Sequence, residues 1–324
     1  MPLFFATVTL AAIIGAVIVN PLSHRIDMVK LYFHTNLVLV VFGLAHIARM
    51  TRDEEKRQTC LRIWNNTVQR RMYITGGIGS QGIGEAFTSD DDLPNDTAYG
   101  ESCASIGLMM FARRMLEMEG YAHYADVMEL AFYNTVLGGM ALDGNVNPLE
   151  THPKSIPHNH IYDYIKPFRQ RWFGCACCPP NIARTLVAIG HYLFTPRQDA
   201  LFINFYVGNE AQFTINDRPL VLCMPEWCEA PQVLVNGETA QGERLKGYLH
   251  ITRQWQQGGV ITLHLPMAIR RVYANPLVCH NAGKVAIQRG PLVYCLEEAE
   301  TAQSCIISRS RAIVSFMRWQ ELAF

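Results

Sequence analysis

Near Leu201 the hydrophobic period of this chain changes from helical to alternating, and that change orders the architecture as helices first and strands after. Upstream, Leu61, Trp64, Val68 and Met72 recur at spacings of three and four with polar residues between them, the mark of an amphipathic helix. A second helix is expected from Ala104 to about Leu116. A third is expected from about His123 to Leu142, with Tyr124, Val127, Leu130, Ala131 and Asn134 inward. Pro180 before Asn181 is a sound start for a further helix reaching Thr195. Downstream, 201–207, 232–237, 260–265 and 290–295 read as strands, the second running into an Asn236-Gly237 turn. Residues 200–298 are therefore expected to form an antiparallel sandwich.

Charge excludes one class of function. The chain carries 28 basic and 28 acidic residues, with no long basic run, so nothing attracts nucleic acid. Ten cysteines in 324 residues are too sparse for a disulfide scaffold, and only one group of them is tight. That pattern points to a reducing compartment, read as the cytoplasm, with one special site. Leu3 to Val19 is an uncharged apolar run without a preceding Lys or Arg; membrane segment, buried helix and non-native leader remain open for it.

The tight group is Trp172-Phe173-Gly174-Cys175-Ala176-Cys177-Cys178-Pro179-Pro180-Asn181. A thiolate is a soft metal ligand and a nucleophile, so close-set cysteines suggest either use, against a packed thiol cluster or a disulfide. Glu101 and Cys103 stand at the mouth of one helix, and Cys177 and Cys178 at the mouth of another. One carboxylate and three thiolates suit tetrahedral zinc, although adjacent ligands such as Cys177 and Cys178 require a bent backbone. Five glycines between Gly76 and Gly84 form a loop with no phosphate-binding Lys-Ser/Thr, read as a shaped loop that lets backbone approach a ligand. Residues 89–96 are an acidic loop explained by Asx turns.

The stretches ITGGIGSxxxGEAF, DLPNDTAYGESCASIG, VNPLE and WFGCACCPPNIAR, in that order, resemble the β-L-arabinofuranosidases of glycoside hydrolase family 127. The resemblance runs from about Gly43 to about Glu298. It implies an (α/α)6 barrel followed by β-sandwich domains. It also implies a zinc ion held by Glu101, Cys103, Cys177 and Cys178, with Cys177 as glycosyl nucleophile and Glu85 as general acid/base. The implied reaction is retaining hydrolysis of terminal β-L-arabinofuranosides in an arabinofuranose-containing oligosaccharide. Cys175 has no assigned role, and Glu150, His152, His158 and His160 could line the pocket.

On this reading residues 1–42 are an apolar leader, 43–199 a partial barrel, 200–300 a β-sandwich and 301–324 an unassigned tail. The helical stretch holds only part of a ring and VNPLE lacks its preceding aromatics, which describes a truncated member. Unpartnered helix faces then predict an aggregation-prone chain. Whether this copy is active stays open, the alternative being a non-catalytic remnant with a structural zinc site. Membrane association and homo-oligomerisation are also left open.

Overall fold

The computed structural model describes residues 37–140, 177–215, 218–256 and 258–295. The run Leu3–Val19, Glu150, His152, His158, His160, Cys175 and the tail 301–324 lie outside them. Helices precede sheets. The helices are α1 (Leu37–Thr51), α2 (Glu54–Asn66), α3 (Ser102–Glu119), α4 (His123–Ala131), α5 (Cys178–Val187) and α6 (Gly190–Leu193). Among the described residues, no helix is long and apolar enough to cross a membrane.

Helix α3 is the centre of the helical layer and packs against α1, α4 and α5. Its Ile106, Leu108, Met109, Phe111, Ala112, Met115 and Leu116 are all buried. Fully burying one such large side chain is worth about 1.5–3 kcal/mol. Helix α2 begins at Asp53, whose carboxylate accepts the Lys56 N–H at 3.1 Å. Its Trp64 meets Phe111 and Tyr124 edge-on, with centroids 5.5 and 4.8 Å away. The buried face is Cys60, Ile63 and Trp64, whereas Leu61, Val68 and Met72 only flank the core. The spacing of apolar residues found the helix but placed its face about one position off.

Two helices end earlier than their periodicity predicts. After Ala131 the chain widens into a π-helical turn, Phe132–Val136. There the Thr135 hydroxyl and Asn134 amide donate to the carbonyls four residues back, at 2.6 and 2.8 Å. The same Asn134 amide donates to Pro291 O and its oxygen accepts Val293 N–H, both at 2.8 Å, so it binds a distant strand as a neighbouring strand would. Helix α5 stops at Val187, and 194–196 is strand rather than helix. Asn204 holds that break by donating to Tyr192 O at 2.8 Å and Thr195 Oγ1 at 3.0 Å.

The strands are β1 (Phe194–Pro196), β2 (Leu201–Ile203), β3 (Leu220–Cys223), β4 (Gln232–Val235), β5 (Glu238–Thr239), β6 (Glu243–Leu245), β7 (Tyr248–Ile251), β8 (Ile261–His264), β9 (Ile269–Val272), β10 (Ala286–Arg289) and β11 (Leu292–Tyr294). Three sheets are ordered β1-β2-β3-β7-β6, β5-β4-β8 and β11-β10-β9. Pairing is antiparallel except for β2 and β3, which run parallel across the connection 204–219. A crossover of about a dozen residues is what a parallel pair needs. Asn236 and Gly237 have φ of 53° and 86°, the two positive values a tight β4–β5 hairpin requires.

Strand β3 is buried on both faces, which is why it reads Leu-Val-Leu-Cys without alternation. Val221 and Cys223 join Phe202 and Tyr248 against the helices. Leu220 and Leu222 join Leu201, Leu249 and Ile251 on the opposite face, packed on Val233, Val235, Ile261 and Leu263. The central sheet thus bridges two cores. The third sheet is attached mainly by polar contacts: Asn134 as above, His280 to Asp92 at 3.0 Å, and Asn95 to Asn281 at 2.9 Å.

At the helix–sheet seam, Glu129 is 2% exposed and accepts the Trp227 indole N–H at 2.7 Å. Burial pushes its carboxyl up to about 7, against a partial offset from the Trp227 bond. The folded state therefore holds a proton that the unfolded chain releases at ordinary carboxylate pH. The contribution of this group to stability is fully present below about 4.5 and is lost as pH rises to about 7. Glu129→Gln should flatten that slope, removing a pH-dependent loss on the order of 3 kcal/mol. Denaturant melts of both proteins across this range check it; parallel slopes would refute it.

Candidate metal centre

The glycine-rich loop shapes the site from below. Two isolated bridges, Met72 with Ile78 and Gln81 with Ala86, fold it into consecutive turns. Gly76 lies at φ 77°, and a Cβ there would sit 2.7 Å from Ala131 Cα. This glycine therefore serves close packing on α4, not the approach of a ligand. Gly76→Ala combines a left-handed backbone with overpacking and should cost about 2–4 kcal/mol, read as a lower midpoint at constant slope in denaturant unfolding. Farther along, Gly79 O accepts the backbone N–H groups of Tyr99 and Gly100 at 3.2 and 3.1 Å, tying the loop to the approach of α3.

Glu85 closes the turn 82–85 at φ 47°, with its N–H on Gly82 O at 3.2 Å. The Tyr99 hydroxyl donates to Glu85 Oε1 at 2.9 Å. Burial, followed by that bond and the charges of Glu101, Glu85 and Cys177, raises the Tyr99 phenol far above its ordinary value. Tyr99 thus stays a neutral donor between Glu85 and the thiol cluster.

The cluster is built from the starts of two helices. Glu101 is the N-cap of α3 and Cys103 its second residue; Cys177 is the N-cap of α5 and Cys178 its first residue. Positive helix ends favour anionic ligands at these places. The Glu101 side chain makes no cap bond to its own helix and turns to the cysteines. The bend demanded by adjacent ligands is a helix start: Cys177 has φ −73° and ψ −37°, so neighbouring side chains no longer point to opposite faces.

The ligand atoms of Glu101, Cys103, Cys177 and Cys178 all lie within 4.8 Å of one another. Cys103 Sγ is 3.5 Å from Cys178 Sγ, which is 3.9 Å from Cys177 Sγ. Zinc–sulfur bonds of about 2.3 Å in tetrahedral geometry set sulfurs roughly 3.8 Å apart. Donor chemistry and spacing therefore fit zinc.

Electrostatics supports a cation from another side. The Cys103 thiol is pulled down to about 6, first by the hydrogen bond with Cys178 and then, against burial, by the Asn181 side chain. The hydrogen bond between Cys103 and Cys178 acts in opposite senses on the two thiols. That bond, then burial, drives Cys178 well above the ordinary thiol range. Cys177 is pushed up to about 11 by burial and by the Cys103 charge. Glu101 rises to about 7, mainly by burial. Four acids this close cannot all ionise without positive charge among them.

Exposure separates the four. Cys177 is exposed, whereas Glu101, Cys103 and Cys178 are half-buried. Among the described residues these four are the one cluster of metal-ligating side chains this tight. Tyr99 and Asn181 were not singled out from sequence. Both lie inside the quoted motifs, but no spacing rule marks a lone tyrosine or asparagine as a partner of a site.

Three family profiles match the chain in order. The β-L-arabinofuranosidase GH127 catalytic domain covers residues 12–191, the GH127 middle domain 195–267, and the glycoside hydrolase family 127 C-terminal domain 269–320. The catalytic match begins upstream of Gly43, and the C-terminal match extends beyond Thr301. The non-reducing end β-L-arabinofuranosidase of Bifidobacterium longum subsp. longum is 38% identical over 295 residues, covering 80% of this chain and 44% of that protein. A crystal structure of a GH127 β-L-arabinofuranosidase from Geobacillus stearothermophilus T6 is 44% identical with a TM-score of 0.75, covering 82% of this chain and 47% of that one. A further GH127 β-arabinofuranosidase structure is 33% identical with a TM-score of 0.72, covering 82% and 48%. The chain spans about half the length of these relatives.

Proposed function

This chain belongs to glycoside hydrolase family 127, and from that premise we propose that it is a retaining hydrolase of terminal β-L-arabinofuranosides, with Cys177 as nucleophile and Glu85 as acid/base. The observation that carries the assignment is exposure: in a cluster of four ligand atoms, the Cys177 sulfur is the one a sugar can reach. Residues 43–199 are read as part of an (α/α)6 barrel and 200–300 as a β-sandwich. Reduced, clustered thiols suit a cytoplasmic setting.

Glu101, Cys103, Cys177 and Cys178 would hold zinc. A bound zinc supplies the positive charge that keeps the sulfurs anionic at neutral pH. In the first step the Cys177 sulfur attacks the anomeric carbon and Glu85 gives its proton to the departing glycosidic oxygen. The carbon–oxygen bond breaks as the sulfur–carbon bond forms. In the second step Glu85 takes a proton from water, the water oxygen attacks the same carbon, and the sulfur leaves as a thiolate. Tyr99 holds the Glu85 carboxylate throughout, through the bond at 2.9 Å.

Two displacements leave the anomeric configuration unchanged. Proton NMR of a synthetic β-L-arabinofuranoside during early turnover should therefore show the β-anomer of free arabinose first. The α-anomer appearing first would refute the nucleophile. A second reading is supported by the origin of the ligands at the starts of α3 and α5: the ion could act only as a clip between two helices. Zinc-loaded protein that gives no turnover would favour the clip.

A further inference from the structure

We infer that Asn134, in the π-helical turn behind α3, is a positioning residue for the metal centre. It ties that turn to strand β11, and the turn in its place holds the start of α3. The inference rests on reading Glu101, Cys103, Cys177 and Cys178 as the zinc ligands.

The half-buried Asn134 side chain joins three segments. Its NH2 donates to Leu130 O and to Pro291 O, and its Oδ1 accepts the Val293 N–H, each at 2.8 Å. Two carbonyls on one side and an N–H on the other fix which end of the amide is which. A carbonyl and an N–H two residues apart are what a strand presents along one side to its neighbour. Among the described residues β11 is an edge of the third sheet, and Asn134 fills the place of the next strand. The bond to Leu130 O spans the junction between α4 and the turn, which widens at Phe132–Val136. Single π-helical turns of this kind are frequent at functional sites.

The same turn backs the residues around the site. Ser102, between Glu101 and Cys103, is buried, and its hydroxyl donates to Thr135 O at 3.4 Å. Gly139, just past the turn, leaves no spare room there: a Cβ on it would lie 2.8 Å from Ser102 Oγ. From the other side, the glycine-rich loop that leads to Glu85 rests on the turn. A Cβ on Gly76 would lie 2.7 Å from Ala131 Cα, and one on Gly77 would lie 3.3 Å from Thr135 Cγ2. The turn therefore touches both the segment that carries two ligands and the loop that leads to the acid/base. Close-packed contacts of this kind transmit a displacement instead of absorbing it. A turn released from β11 shifts the α3 ligands against those on α5.

The test is zinc affinity of the full chain, measured by competition with a chromophoric chelator, together with the ligand-field bands of the cobalt-substituted protein. Asn134→Ala should weaken zinc roughly 2–30-fold, the range of coupling carried by residues that do not themselves touch the ligand, and should move the cobalt bands. Asn134→Asp keeps an acceptor for the Val293 N–H but sets oxygen against two carbonyls, and should weaken zinc at least as much. A residue that supports only the fold would lower the melting temperature and leave affinity and bands at their wild-type values. That result would overturn the inference while leaving the metal centre standing. Coupling is reciprocal, so zinc should also slow hydrogen exchange of the Val293 N–H in the unaltered chain, relative to the same chain with chelator. This measurement needs no variant to fold, and exchange there that ignores zinc would equally overturn the inference. A wild-type chain that takes up no zinc would overturn the ligand assignment itself.

Discussion

Cys177→Ser is expected to reduce turnover of a β-L-arabinofuranoside by roughly ten-thousand-fold or more, the scale seen when a catalytic nucleophile is removed. A serine hydroxyl is nearly isosteric with the thiol, so the α5 start should persist: its prolines and the Asn181 N–H on Cys177 O do not depend on the sulfur. What is lost is an anionic sulfur on the exposed side of the cluster. Zinc content measured alongside kcat separates loss of the nucleophile from loss of the metal. Near-full zinc occupancy with no turnover is the expected pair of results. Substantial residual turnover would require another nucleophile.

Removing a half-buried ligand should act on stability as well as chemistry. Cys103 is half-buried in the first turn of α3 and lies 3.5 Å from Cys178. Cys103→Ala leaves three donors around the ion and opens the join between α3 and α5. A ligand that binds only the folded state adds about 4 kcal/mol at a thousandfold excess over its Kd. Wild-type protein in excess zinc should therefore melt well above the same protein with chelator. Cys103→Ala should melt at one temperature in both conditions. A variant that keeps the zinc-dependent shift would remove Cys103 from the ligand set.

The order of helices and sheets was readable because it rests on periodicity, which one sequence carries in full. Strand β3 shows where periodicity stops: Leu220–Cys223 is apolar at every position because two cores claim its two faces. The ends of α4 and α5 were hidden for a related reason. Asn134 and Asn204 set those breaks through partners far along the chain, Pro291, Val293 and Tyr192 among them. Glu101, Cys103, Cys177 and Cys178 were legible because thiolates and carboxylates announce a metal by type. Their convergence was not legible from spacing alone, since it depends on α3 and α5 starting side by side. Tyr99 acts through a single hydrogen bond, which leaves no periodic trace.

The account turns on one sulfur. Incubating the zinc-loaded full chain with an arabinofuranose-shaped haloacetamide and mapping the product by peptide mass spectrometry asks directly which atom meets the anomeric position. A single adduct on Cys177, suppressed by free arabinose, is the predicted result. An adduct on another residue, or none on protein that holds zinc, would contradict it.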